Sequence, residues 1–222
     1  MLKSDTSSTP LVGNLTKILQ PPVVDLKDPL KALTRLEVAK ILAAGENIPE
    51  FIYGLILNYL HSIGQLQWRL SSQMPHLDNE LVLPPAGKAP FEVKFGGHTF
   101  SCKTSHEGNS GIQFKHPRTS AILTGYIDQI WQIPLQGRIQ TFFVIEEHTR
   151  IPQWIAQEAP FLSMPELGAT IVDATPSKQF LIIEPEHILT HLTIYKRPKG
   201  TYGILTRELL VISWSLNRGR RT

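Results

Sequence analysis

The sequence predicts an α+β fold: an N-terminal helical pair packed on a mainly antiparallel sheet built of successive hairpins. Three observations lead there. Helical spacing of apolar residues is confined to residues 30–63, apolar and polar residues alternate in short runs from Phe91 onward, and Gly, Pro, Asn or Asp separate those runs. A stretch of helices followed by a stretch of paired strands is the pattern of an α+β chain.

Residues 1–29 are rich in Ser, Thr, Pro and Asp and predict a flexible arm. Next, LKALTRLEVAKILAA is composed of strong helix formers, with Leu33, Leu36, Val38, Ile41 and Leu42 forming an apolar stripe. Asp28 and Pro29 supply the expected N-cap and first turn. Gly45 ends this helix, and Asn47-Ile48-Pro49 opens a second one through about Ser62. Its residues Phe51, Ile52, Leu55, Ile56, Tyr59, Leu60 and Ile63 recur at the spacing of a helix laid on a core, and Gly54 within it predicts close packing.

Residues 71–90 predict a loop interrupted by a short strand at 80–83. FEVKF and HTFSCK flank Gly96-Gly97, a two-residue hairpin signal. The longest pair is ILTGYIDQIWQIPLQGRIQTFFVIEE, turning at Pro134-Leu135-Gln136-Gly137. Its first strand is expected to carry Leu123, Ile127, Trp131 and Ile133 on one face, and its second sets Arg138, Gln140, Phe142 and Val144 against Ile139, Thr141, Phe143 and Ile145. A short helix and a connection follow around Trp154 and Phe161. ATIVD with KQFLIIE, and LTHLTIYK with YGILTRELLVISW, read as two further hairpins. The chain is accordingly expected to be a flexible arm over 1–29 and one domain over 30–222, helical over 30–70 and strand-rich over 91–217.

A length of 222 residues supports one sizeable core, and 41% hydrophobic with 18% charged residues is the balance of a folded globular protein. The net charge of +3 is a mild basic excess that favours anionic partners. Cys102 is the single cysteine, which excludes an intramolecular disulfide and a cysteine-built zinc site and fits a reducing compartment. No run approaches the roughly 18 apolar residues of a membrane span. MLKSDTSSTPLVGNL is not a secretory signal, Leu2 excludes myristoylation, and NRGRRT is not a prenylation box. A membrane role is therefore expected to be peripheral.

No GxSxG, Walker A or GxGxxG pattern occurs. His187 and His191 have the spacing of a zinc helix, but Ile188 stands where the HExxH base belongs and the following LTIYK reads as strand. Cys102 lies near His98 and His106 in sequence, yet extended spacing separates the thiol from His98, and a buried inert thiol is expected. No enzyme, cofactor, metal or small-molecule substrate is predicted.

What remains is surface chemistry. Lys196, Arg197 and Lys199 at a hairpin tip and Arg218, Arg220 and Arg221 at the end of the sequence are candidate contacts for an anionic partner, lipid or nucleic acid. Tyr195 and Tyr202 flank the tip as potential stacking surfaces. The second helix is apolar around more than half its circumference, so Phe51, Ile52, Leu55 and Tyr59 are candidates for self-association or membrane contact.

In the order and hydrophobic pattern of IPEFIYGLILNYLHSIG and, downstream, ILTGYIDQIWQIPLQGRIQTFFVIEE, the chain resembles the matrix proteins of rhabdoviruses over about residues 36–147. The resemblance implies a non-enzymatic viral structural protein of the virion and host cytoplasm, peripheral at the host membrane. Such a protein self-associates and bridges an acidic membrane surface and viral ribonucleoprotein in assembly and budding. The chain departs from that family at Pro21-Pro22-Val23-Val24, which lacks the tyrosine of a PPxY motif, and in having only Lys3 and Lys17 as basic residues before Lys27. The alternative is a nucleic-acid-binding viral accessory or transport protein.

Overall fold

A computed structural model describes residues 24–25, 32–72, 75, 77 and 79–214. In chain order its elements are β1 (Val24–Asp25), α1 (Arg35–Ala43), β2 (Glu46–Asn47), α2 (Glu50–Ser62), β3 (Trp68–Leu70), β4 (Leu81–Leu83), β5 (Ala86–Gly87), β6 (Glu92–Phe95), β7 (His98–Ser101), β8 (Gly111–Lys115), β9 (Ile122–Leu135), β10 (Arg138–Glu147), α3 (Gln153–Ala156), β11 (Ala169–Asp173), β12 (Phe180–Ile183), β13 (Ile188–His191), β14 (Thr193–Arg197) and β15 (Leu209–Ser213). The fold is α+β with mainly antiparallel pairing; β1 with β6 and β3 with β4 are the parallel pairs among the described residues.

The central sheet has the order β12-β10-β9-β8-β13, and apolar side chains cover both of its faces. On one face, Trp131, Ile133, Phe142, Val144 and Ile182 meet α2; on the other, Ile112, Phe114, Ile127, Phe143 and Ile145 meet Val93 and Phe100 of the β6–β7 hairpin. Each fully buried aliphatic or aromatic side chain of this kind contributes about 1.5–3 kcal/mol relative to exposure.

The long hairpin turns at Gln136-Gly137, with φ of 48° and 75°, and Leu135 pairs with Arg138. Both turn residues are left-handed, the twist-matched two-residue solution, so the turn is shorter than the sequence suggested. Gly96-Gly97 makes the same turn between β6 and β7, as the sequence predicts.

A β-bulge corrects the facing expected for β9. Val144 pairs with Gln129 but Ile145 pairs with Ile127, so Asp128 is an extra residue without a partner across the ladder. An inserted residue inverts the alternation. Leu123 and Ile127 therefore face the β6–β7 side while Trp131 and Ile133 face α2, and the four do not share a face.

The two helices play unequal parts. α1 begins after Thr34, whose hydroxyl accepts from Glu37 N at 3.2 Å while Glu37 Oε2 accepts from Thr34 N at 2.8 Å. This capping box, rather than Asp28 and Pro29, sets its start, and those two lie outside the described residues. None of its residues is buried, and Leu36 is 66% exposed, so the apolar stripe of α1 is not a core face. α2 buries Ile52, Tyr53, Ile56, Leu57, Tyr59 and Leu60. A Cβ on Gly54 would meet nothing within 4 Å, which corrects the expectation of close packing there.

Of the C-terminal pairings, LTIYK with ELLVIS forms as the sequence predicts, as β14 with β15, and the others differ. ATIVD, as β11, joins β15 rather than its neighbour β12, and β12 instead extends the central sheet beside β10. The second sheet is β11-β15-β14, in which Arg197 pairs with Leu209 across a long connection rather than a tight tip. LTHLTIYK is divided: β13 belongs to the central sheet and β14 to the second. Leu192 alone lies between them, buried, with its N–H bonded to Gly111 O at 2.9 Å. A Cβ on Gly111 would meet the terminal Cδ1 of Ile194 at 2.5 Å, so the Ile194 side chain would have to shift to admit one.

Candidate functional site

Alternation along β14 sorts the basic strand end. Ile194 and Lys196 pair with Ile212 and Leu210, which pack toward the central sheet with Tyr126 and Leu192. Tyr195 and Arg197 pair with Val211 and Leu209, on the outer side. The three cations of the expected cluster thus part: Lys196 leans inward at the rim and ion-pairs with Glu208 Oε2 at 2.8 Å. That pair holds the Glu208 carboxyl below its ordinary range, and the exposed setting makes it a weak contributor to stability. Arg197 is exposed and lies 5.6 Å from the Tyr195 ring centroid, while Lys199 is exposed in the connection beyond. Arg207 is not available in the same way, because its Nη1 donates to Asp173 Oδ2 at 2.8 Å. Arg218, Arg220 and Arg221 lie outside the described residues.

The α2 candidates divide as well. Ile52 and Tyr59 are 3% and 6% exposed and belong to the core, because the stripe that faces the sheet repeats through them. The Tyr59 hydroxyl donates to Glu184 Oε1 at 3.0 Å, and Gln140 Nε2 donates to the same oxygen at 2.7 Å. Burial nevertheless raises the Glu184 pKa, these two donors opposing the shift. Leu55 is half-buried, and Phe51 is 58% exposed, its ring edge-on to Phe180 at 5.8 Å. Phe51 is therefore the outward-facing member of the four.

The residues singled out around cysteine and histidine lie on separate elements. Cys102 is buried, and burial pushes its thiol up to about 11, so it stays protonated and unreactive. His187 closes a short 3₁₀ turn, where Nδ1 accepts from Glu184 N at 3.3 Å. His191 lies on β13, stacked on Phe100 at 4.4 Å with Nε2 3.1 Å from Thr99 O. Among the described residues no group of three or more His, Cys, Asp or Glu side chains converges. No described helix is long and apolar enough to cross a membrane.

Sequence reasoning missed a cleft of about 520 Å³ between the central sheet and the second sheet. Gln113, Thr124 and His148 line it opposite Ile151, Ile171 and Trp214. His148 is 7% exposed; its backbone N–H donates to Thr124 O at 2.9 Å and its Nδ1 lies 3.1 Å from Thr124 Oγ1. Its ring meets Tyr126 edge-on at 4.8 Å, and Lys103 Nζ sits 4.0 Å from the centre of that same tyrosine. Nε2 is buried and has no hydrogen-bond partner among the described residues. Burial, aided by the Lys103 charge, lowers the His148 pKa to about 4, so the ring is neutral near pH 7. Nothing in the local sequence EEHTR announces this, because the cleft forms only when β11 joins β15.

No protein-family model, curated protein or solved structure matches the chain, so the surface geometry carries the functional argument alone.

Proposed function

We propose that this is a non-enzymatic, viral matrix-like structural protein that self-associates and bridges an acidic membrane surface and ribonucleoprotein in assembly and budding. The observation that supports the reading most is the open strand β14. It is an edge of its sheet, and it turns Tyr195 and Arg197 outward with Lys199 just beyond, none of them used by the core. Cations held at an unpaired sheet edge attract phosphate-bearing surfaces, and they also discourage the edge from pairing with other strands. Phe51 on the outer side of α2, with the half-buried Phe180 of β12 against its ring, is assigned to contact between copies.

The full chain is expected to float with vesicles containing acidic lipid and to lose that association as salt rises well beyond about 0.1 M, where the Debye length is roughly 10 Å. The variant Arg197→Glu/Lys199→Glu is expected to reduce flotation several-fold at low salt without changing thermal unfolding. A wild-type chain that stays at the bottom of the gradient with acidic vesicles, and sediments as a monomer, overturns the proposal.

The alternative, a nucleic-acid-binding viral accessory or transport protein, has one observation in its favour: Tyr195 is 62% exposed beside Arg197, an open aromatic next to a guanidinium. Single-stranded RNA binding that falls with Tyr195→Ala, in a chain that ignores acidic vesicles, places this second reading first.

A further inference from the structure

Among the described residues the two most exposed large apolar side chains are Leu205 at 76% and Trp154 at 72%. Both belong to the layer that covers the outer side of the β11-β15-β14 sheet. In that layer Ile155 of α3 and Ile204 turn inward to one buried cluster with Ile171 and Leu209, and Phe161 meets Tyr202 edge-on at 5.6 Å. Trp154 and Leu205, each next to one of those inward residues, are left outside. Burying one residue while leaving its large apolar neighbour in water exposes surface that a second apolar phase would cover.

The charge lies at one end of this face. A Cβ on Gly200 would touch Leu205 Cδ2 at 3.7 Å, so Leu205 sits beside the segment bearing Lys199. Tyr195 and Arg197 lie on the same outer side of the sheet as the layer itself. Glu158 and Glu166 are also exposed on the layer, which confines the positive contribution to the Arg197 and Lys199 end. Tryptophan, leucine and tyrosine next to arginine and lysine are the side chains that settle at the boundary between acyl chains and headgroups.

We infer that the outer layer of the second sheet, and not α2, is the surface that docks on an acidic lipid bilayer, with Trp154 and Leu205 entering the interface and Arg197 and Lys199 meeting headgroup phosphates. The inference rests on the membrane-bridging reading above and assigns its site.

The test is flotation of the full chain with phosphatidylcholine vesicles, with and without phosphatidylserine, for the wild type, Trp154→Ser/Leu205→Ser and Phe51→Ser. Sedimentation and thermal unfolding of each protein accompany it. The expected result is binding to the acidic vesicles that drops roughly tenfold or more in the double variant, is retained by Phe51→Ser, and is accompanied by unchanged unfolding. A blue shift in the fluorescence difference between wild type and Trp154→Phe on acidic vesicles is expected alongside. Undiminished flotation of the double variant overturns this site while leaving membrane binding intact. A double variant that changes only oligomeric state makes the layer a contact between copies and overturns it too. A wild type that floats with neither vesicle overturns both this inference and the reading beneath it.

Discussion

Protonating His148 in the folded protein means placing a charge on a largely buried ring beside Tyr126, Thr124 and the Lys103 ammonium. Its folded pKa of about 4 lies below the ordinary 6.5, so between these values the unfolded chain binds a proton that the folded chain refuses. The corresponding stability is fully present above pH 6.5 and is lost as pH falls toward 4, a total of about 3 kcal/mol. Urea midpoints at pH 7 and pH 5 are expected to differ accordingly, and His148→Gln is expected to flatten that part of the profile. An equally steep profile in the variant assigns the acid sensitivity to other groups. Tyr59 and Glu184 make the opposite case: they carry a hydrogen bond where sequence reasoning placed a docking surface. Period and hydrophobicity identified Tyr59 as one of the apolar residues of α2, but its partner is 125 residues away, and no local pattern encodes such a distance.

β9 shows how one extra residue assigns a strand to two layers. Asp128 is half-buried and has no partner across the ladder, so its backbone, and not its side chain, is what sets the facing of the strand. Asp128→Ala is expected to cost less than about 1 kcal/mol, whereas deleting residue 128 forces Leu123 and Ile127 to exchange faces with their neighbours and is expected to cost more than about 4 kcal/mol. Chemical denaturation of the two variants distinguishes a bulge that sets facing from an incidental irregularity, for which the deletion is no worse than the substitution. The sequence could not reveal this bulge, because Ile130 and Trp131 are both large and apolar and either alternation buries one of them. The two-residue turn at Gly96-Gly97 was legible for the converse reason, since its geometry is decided by the turn residues themselves, whereas the long hairpin was located correctly but its turn was read as four residues, 134–137, instead of Gln136-Gly137.

At the scale of the whole molecule, the α+β class and the strand-rich second half could be read from composition and period, and the pairing of sheets could not. β11 and β12 are neighbours in sequence with a turn between them, yet β11 pairs with β15 and β12 with β10. Apolar residues on both faces of β10 suit its place inside the covered sheet, between β9 and β12, a strand order that the sequence reading did not assign. Its amides are expected to be among the slowest to exchange with deuterium in the molecule, and those of the edge strand β14 among the fastest of the strands. Equal protection in both, measured by native-state exchange, shows that the second sheet is not the less stable part. The cleft with His148 was illegible for the same reason as the pairing, since its walls come from strands that meet only after the second sheet has closed.

Leu192, the single residue between β13 and β14, leaves no slack in that one of the links between the two sheets. A swivel there would tear the Leu192 N–H from Gly111 and pull Ile194 away from the same glycine. Whatever grips the outer layer therefore takes hold of a stiff handle rather than a foot on a tether, and the tilt of the entire body is fixed at the moment of contact.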